Sequence, residues 1–111
     1  DFIKVKVYIS CPITLGDKIH NLDQSLRAYR TLIEAGYAPF NPALTYFVVP
    51  FISAPHDTWL SCDIPWVLCA DCLLRLPGES IGAEHECAVA IAHGIPVYND
   101  ISLLLASEPS C

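Results

Sequence analysis

Four short runs of the chain favour extended backbone, and a stretch long enough for a helix follows each of them. The runs are 3–10 (IKVKVYIS), 37–40 (YAPF), 71–77 (DCLLRLP) and 95–100 (IPVYND). Alternating apolar and polar residues with high β content mark the first as a strand. A β-α alternation of this kind leaves few folds open. Strands joined through helices run parallel, and helices cover both faces of the sheet. Right-handed crossovers then put the first strand at the centre, beside the second and third. Ligands bind such sheets beyond the carboxyl ends of the strands, where the strand order reverses. Three connections should meet there: Tyr8 to Gly16, Asn41 onward, and Pro77 to Gly82.

The helical stretches carry their own punctuation. From Asn21, the residues Leu22, Leu26, Tyr29 and Ile33 recur at near-helical spacing. Asn21 and Gln24 are placed as a cap and its partner, and Gly36 as the stop. Residues 57–70 read as a helix opened by Asp57 and disturbed, by a kink or a restart, at Pro65. Residues 81–94 read as a third helix closed by Gly94, and 101–107 as a terminal helical turn or two. The exception is 41–57 (NPALTYFVVPFISAPHD), with three prolines, three aromatics and no clear period. A connection that long inside a compact domain usually serves function. Two roles fit it: a lid over a ligand, or a contact with a partner subunit.

A length of 111 residues suits one domain, spanning 1–111. Such a domain buries roughly 65% of its unfolded surface, enough for a real core. The hydrophobic share of 53% excludes disorder. No apolar run approaches the ~20 residues a membrane helix needs. No basic stretch leads into an apolar one, so no signal peptide is expected. The first residue is Asp rather than Met, so the native start is expected further upstream. A net charge of −6 with only six Lys and Arg argues against polymeric DNA or RNA as a partner. A small phosphorylated ligand still fits, because backbone amides bind phosphate without side-chain charge.

Six cysteines tempt a disulfide reading. Cys62, Cys69, Cys72 and Cys87 stand among apolar residues, where free Cys behaves as a small buried hydrophobe. They are expected reduced, in a cytoplasmic protein. Cys69-Ala-Asp-Cys72 has C-x-x-C spacing, but no second pair exists for a metal, and it leads into a strand rather than opening a helix. His20, His56, His85 and His93 are scattered with no ligand spacing, so no metal is expected. There is no P-loop, no G-x-G-x-x-G and no G-x-S-x-G elbow.

Chemistry concentrates at 77–97 (PGESIGAEHECAVAIAHGIPV). Glu86 falls early in a helix whose next turn, Val89 and Ala90, is small and apolar. Partial desolvation there would raise its pKa and its reactivity, although helix starts also attract acids for capping alone. Glu84 and His85 face elsewhere, towards solvent. Ser80 and Gly82 either cap this helix or aim a hydroxyl and free amides at a phosphate or sugar. Asp63 either is solvated or gives a proton from the helix before the third strand. Tyr8 is either a core aromatic or a hydroxyl at the same mouth.

VYISCPIT, FNPA and TWLSCDIPWVLCADCLLRLPGESIGAEHECAVAIAHGIPV together resemble the nucleoside 2-deoxyribosyltransferase superfamily. The small-protein branch has the pattern Y-I-[SA]-G-P, N-P-A, W…D, L-P-G-x-S-x-G-A-x-x-E…A…G-x-P-V. The resemblance covers residues 5–98, and Ser80-x-Gly82-x3-Glu86 is its most specific part. It implies a single-domain, Rossmann/flavodoxin-like α/β fold, with a parallel sheet of four to five strands and helices on both faces. It implies Glu86 as nucleophile, Asp63 assisting at the base or sugar, and Tyr8 beside the nucleophile. Ser10, Pro12, Asn41, Trp59, Ser80 and Gly82 fall on substrate-binding positions. Transferases of the family carry Asp where Ser80 stands, and the 2'-deoxynucleoside 5'-monophosphate N-glycosidases carry Ser, which receives the phosphate. The resemblance therefore favours a nucleotide N-glycosidase working without cofactor, as a homodimer or larger homo-oligomer whose site is completed across an interface. Tyr46, Phe47 and Phe51 are candidates to stack on the base. Cys11 replaces the family glycine, and a bulkier side chain in that loop is expected either to narrow the site or to change what it accepts. A base-exchanging transferase, a non-catalytic nucleotide-binding module and a C-x-x-C redox protein are the alternatives.

Overall fold

The computed structural model describes residues 3–109. The side chains of Tyr46 and His56 lie outside the described residues, as does Cys111. The elements are β1 (Lys6–Ser10), α1 (Lys18–Glu34), β2 (Ala38–Phe40), a 3-10 segment (Pro42–Phe51), α2 (His56–Cys69), β3 (Cys72–Arg75), α3 (Ile81–Ala92), β4 (Val97–Tyr98) and α4 (Ile101–Ser107).

Four parallel strands form one sheet in the order β2-β1-β3-β4. The expected centre and switch point are therefore present. The strands are shorter than the β-rich runs, because β1 is paired only from Lys6, opposite Ala38, to Ser10, opposite Arg75. Side-chain alternation divides the core. Val7, Ile9, Cys72 and Leu74 pack with Ala28 and Leu32 of α1 and Leu104 of α4. Tyr8 and Leu73 face the other way, against Val67 of α2 and Ala90 of α3. On that side Tyr8 stacks on Phe40 (centroids 5.7 Å apart), and Phe40 stacks on the half-exposed Trp66 (5.2 Å, 12° between planes).

The helix ends depart from expectation. Asp17 caps α1, its Oδ1 accepting from the Ile19 and His20 amides at 3.0 and 3.1 Å. Asn21 instead lies buried inside α1, donating to the Leu15 carbonyl at 2.7 Å. The buried face of α1 is Asn21, Ser25, Ala28 and Leu32, while Leu26 and Ile33 are exposed. Hydrogen bonds satisfy the two polar members, so a polar residue can take the inward position. The helix α2 starts at His56 with no side-chain cap and runs on through Pro65; Asp57 lies in its first turn, where its charge favours the helix dipole. The aperiodic stretch after β2 becomes the 3-10 segment, opened by Asn41 accepting from the Ala43 amide at 3.1 Å.

The cysteines divide as well. Cys11 and Cys72 are buried, but Cys62 and Cys69, read as buried hydrophobes, are exposed on α2. Every cysteine among the described residues is free. Burial pushes the Cys72 thiol up to about 12, the opposite of what a reactive dithiol needs. Among the described residues no His, Cys, Asp and Glu group could hold a metal ion, and no helix is long and apolar enough to cross a membrane.

Candidate active site

Residues two apart on a strand share a face, so β1 presents both Tyr8 and Ser10 to α3. Glu86, in the second turn of α3, meets them. The Tyr8 hydroxyl donates to Glu86 Oε2 at 2.6 Å, and the Ser10 hydroxyl donates to Oε1 at 2.8 Å. Both carboxylate oxygens are thus fixed, in a residue only 5% exposed. Burial raises the Glu86 pKa, while the two hydroxyl donors and the more distant positive charges of His85 and Arg75 draw it back. Burial, then the charges of Glu86 and Asp63, push the Tyr8 phenol far above its ordinary value, so it stays protonated and remains a donor.

Glu86 opens onto a cavity of about 310 Å³, whose wall also holds Asp63, Trp59, Ser80, Gly82 and Cys11. Thr45 and Val49 of the 3-10 segment close one side. Asp63 is half-buried, and no hydrogen-bond donor among the described residues reaches it. Burial, and secondarily the charge of Glu86, raises it to about 7. The two carboxylates face one cavity, Glu86 with a hydroxyl donor on each oxygen and Asp63 with its carboxyl raised to about 7.

Ser80 is the cap of α3 and also lines the cavity. Its Oγ accepts from the Ala83 amide at 3.0 Å as the cap of α3, and its hydroxyl stands on the cavity wall with a proton to give. Gly82 leaves room at the wall, where an added Cβ would touch Leu60 Cδ1 at 3.4 Å.

Of the other substrate-binding candidates, Trp59 stands on the wall, whereas Ser10, Asn41 and Pro12 do not line it. Ser10 is fully buried and spent on Glu86. Asn41 is buried behind the wall, donating to Ser25 Oγ at 3.2 Å. Pro12 packs beneath Gly78 and lines a neighbouring apolar groove of about 160 Å³. Phe47 and Phe51 are 64% and 85% exposed and do not line the cavity, so Trp59 is the aromatic side chain seen on its wall. The side chain of Tyr46 lies outside the described residues. Thr14, Thr45 and Leu60 also line the cavity without a sequence signal that singles them out. Arg75 is a basic residue inside the apolar run DCLLRLP, an anomaly visible in the sequence.

The fold has a match among solved structures. A 2-deoxyribosyltransferase of the psychrotolerant bacterium Bacillus psychrosaccharolyticus superposes with a TM-score of 0.66, at 20% sequence identity, over 84% of this chain and 69% of that one. The chain has the 2-deoxyribosyltransferase fold. No protein-family model matches the sequence, and no curated protein matches it. The shared fold gives the switch point, and the chain's own residues furnish the carboxylate pair.

Within this 2-deoxyribosyltransferase fold, Tyr8→Phe is an informative change. It keeps the ring on Phe40 and removes only the donor to Glu86 Oε2. The Glu86 pKa should rise further, moving the acid limb of kcat/KM to higher pH and lowering the plateau about tenfold. A pH–rate series on both proteins reads this; an unmoved acid limb would show that the phenol does not tune Glu86.

Proposed function

We propose that the chain is an enzyme of the nucleoside 2-deoxyribosyltransferase superfamily that hydrolyses the N-glycosidic bond of a (deoxy)nucleoside 5'-monophosphate. The observation that carries this is Glu86, buried and held at both oxygens, facing a cavity it shares with Asp63, whose carboxyl burial raises to about 7. Glu86 attacks C1' as the bond to the base breaks, and the bonding pair leaves with the base. Asp63 supplies the proton that the departing base takes up. A water then attacks C1', gives its proton to Asp63 and releases the sugar phosphate and Glu86. Ser80 and the first amides of α3 suit the 5'-phosphate. Exposed Phe47, Val48, Phe51 and Ile52 beside the cavity support a homo-oligomer that covers it.

One observation favours a second reading, base exchange on free nucleosides. The cavity wall carries two carboxylates and no Lys or Arg among the described residues, so a phosphate dianion would meet no side-chain cation there. Chromatography after incubation with deoxy- and ribonucleoside 5'-monophosphates and free nucleosides, with and without a second base, decides between them. Free base from monophosphates supports the hydrolase. Exchanged nucleosides support transfer, and no change in any substrate overturns both.

A further inference from the structure

Three consecutive carbonyls of the β3–α3 connection are held by side-chain donors. Arg75 donates from one guanidinium nitrogen to the Leu76 carbonyl, and from the other to the Gly78 carbonyl at 2.8 Å. Between them, Gln24 of α1 donates to the Pro77 carbonyl at 2.9 Å. The same amide nitrogen lies 3.5 Å from Cys11 Sγ, tying the loop after β1 to the loop after β3. Gly78 completes the joint: its φ is +120°, and a Cβ there would stand 2.7 Å from Pro12 Cγ. The Leu76 amide, for its part, donates to the Ser10 carbonyl at 2.8 Å.

The sheet does not require this arrangement. Arg75 is the last residue of β3, and its side chain is only 13% exposed, with Glu84 as an exposed carboxylate 3.8 Å away. Burying a guanidinium is costly unless its donors are used. Here they are used on the loop itself. Neither Arg75 nor Gln24 lines the cavity; of the segment 76–80 only Ser80 reaches the wall, followed by Gly82 and Ala83. A free carbonyl oxygen at that point would repel an anion, whereas a fixed hydroxyl donates to one.

We propose that Arg75 and Gln24 are positioning residues: by engaging the carbonyls of Leu76, Pro77 and Gly78 away from the cavity, they hold Ser80 at its wall and set the preference for a phosphorylated over a free nucleoside. This rests on the nucleotide reading above. Neither residue touches the substrate.

The test measures binding, so that it does not depend on turnover. Dissociation constants for the four 2'-deoxynucleoside 5'-monophosphates and the matching nucleosides are measured by titration calorimetry on Glu86→Gln. They are repeated with Gln24→Ala, Arg75→Gln or Arg75→Lys added, after melting curves confirm folding. The ratio of nucleoside to monophosphate Kd should fall about tenfold in Gln24→Ala and Arg75→Gln, the size of one lost charge-assisted hydrogen bond. Arg75→Lys, which keeps the charge but not the two-carbonyl fork, should recover only part of it. Equal loss for both ligands would make the residues structural only and overturn the proposal. Full recovery in Arg75→Lys would overturn the fork in favour of charge alone. No monophosphate preference in the parent protein would overturn the proposal too, while base release by the wild-type protein, assayed separately, still decides the proposed reaction. If Arg75→Gln does not fold, Gln24→Ala carries the result.

Discussion

If the proposed hydrolysis runs through Glu86, Glu86→Gln should lower base release by about a thousandfold or more, as expected for a lost nucleophile, in a protein that folds as well as the wild type. The expectation follows from how the side chain is held. A glutamine keeps the length of the glutamate, and the Tyr8 and Ser10 hydroxyls can each donate or accept, so both hydrogen bonds to it can survive. What disappears is a carboxylate able to form a bond to C1'. Folding should not suffer, because a neutral amide avoids the burial cost that raises the Glu86 pKa. Chromatography of released base beside a melting curve checks both halves. Retained activity in a folded Glu86→Gln protein would remove Glu86 from the mechanism.

Asp63 and pH form the second large effect. In the proposed reaction Asp63 gives its proton only while protonated, so activity should fall as the pH rises through about 7. Glu86 attacks only when ionised, so activity should fall as the pH drops through its raised pKa. The expected wild-type profile is a bell with its alkaline limb near neutrality. Asp63→Asn should lower kcat by roughly a hundredfold to ten-thousandfold and erase that limb. A limb that persists in the variant would belong to another group. The same shift predicts a stability change of opposite sense. Between the unfolded value of ~3.9 and about 7, the folded state holds a proton that the unfolded chain has lost, so rising pH destabilises the fold. Asparagine carries no such cost. Asp63→Asn should melt higher than wild type at about pH 8 and equally at about pH 4, with a modest gain because Asp63 is half-exposed.

The parts of this protein that repeat or alternate could be read in advance. Strand order follows from crossover handedness, and the meeting of the loops after the first three strands from the switch point, while the pairing of Tyr8 with Glu86 was implied by the family resemblance. What escaped depends on partners distant in sequence. Asp17 and Asn21 are both competent caps, and only the Leu15 carbonyl awaiting Asn21 inside the fold decides between them. Ser25 looks like a surface residue until Asn41 bonds to it. A ten-residue 3-10 segment has no hydrophobic period to detect. Ser10 and Asn41 were read as substrate contacts, yet in the fold they hold Glu86 and the start of the 3-10 segment. The Arg75 fork depends on the direction of carbonyls, which no side-chain pattern records.

The two tryptophans have unequal surroundings. Trp59 stands on the cavity wall, whereas Trp66 ends the Tyr8–Phe40–Trp66 stack and does not line the cavity. Tryptophan emission thus divides into one emitter at the cavity, where an entering ligand would displace water, and a half-exposed one that reports on the stack with Phe40. Trp66→Phe keeps an aromatic ring on Phe40 and leaves a single emitter at the cavity. The chain thereby contains its own optical probe, able to follow ligand arrival without a label, a coupled assay or turnover.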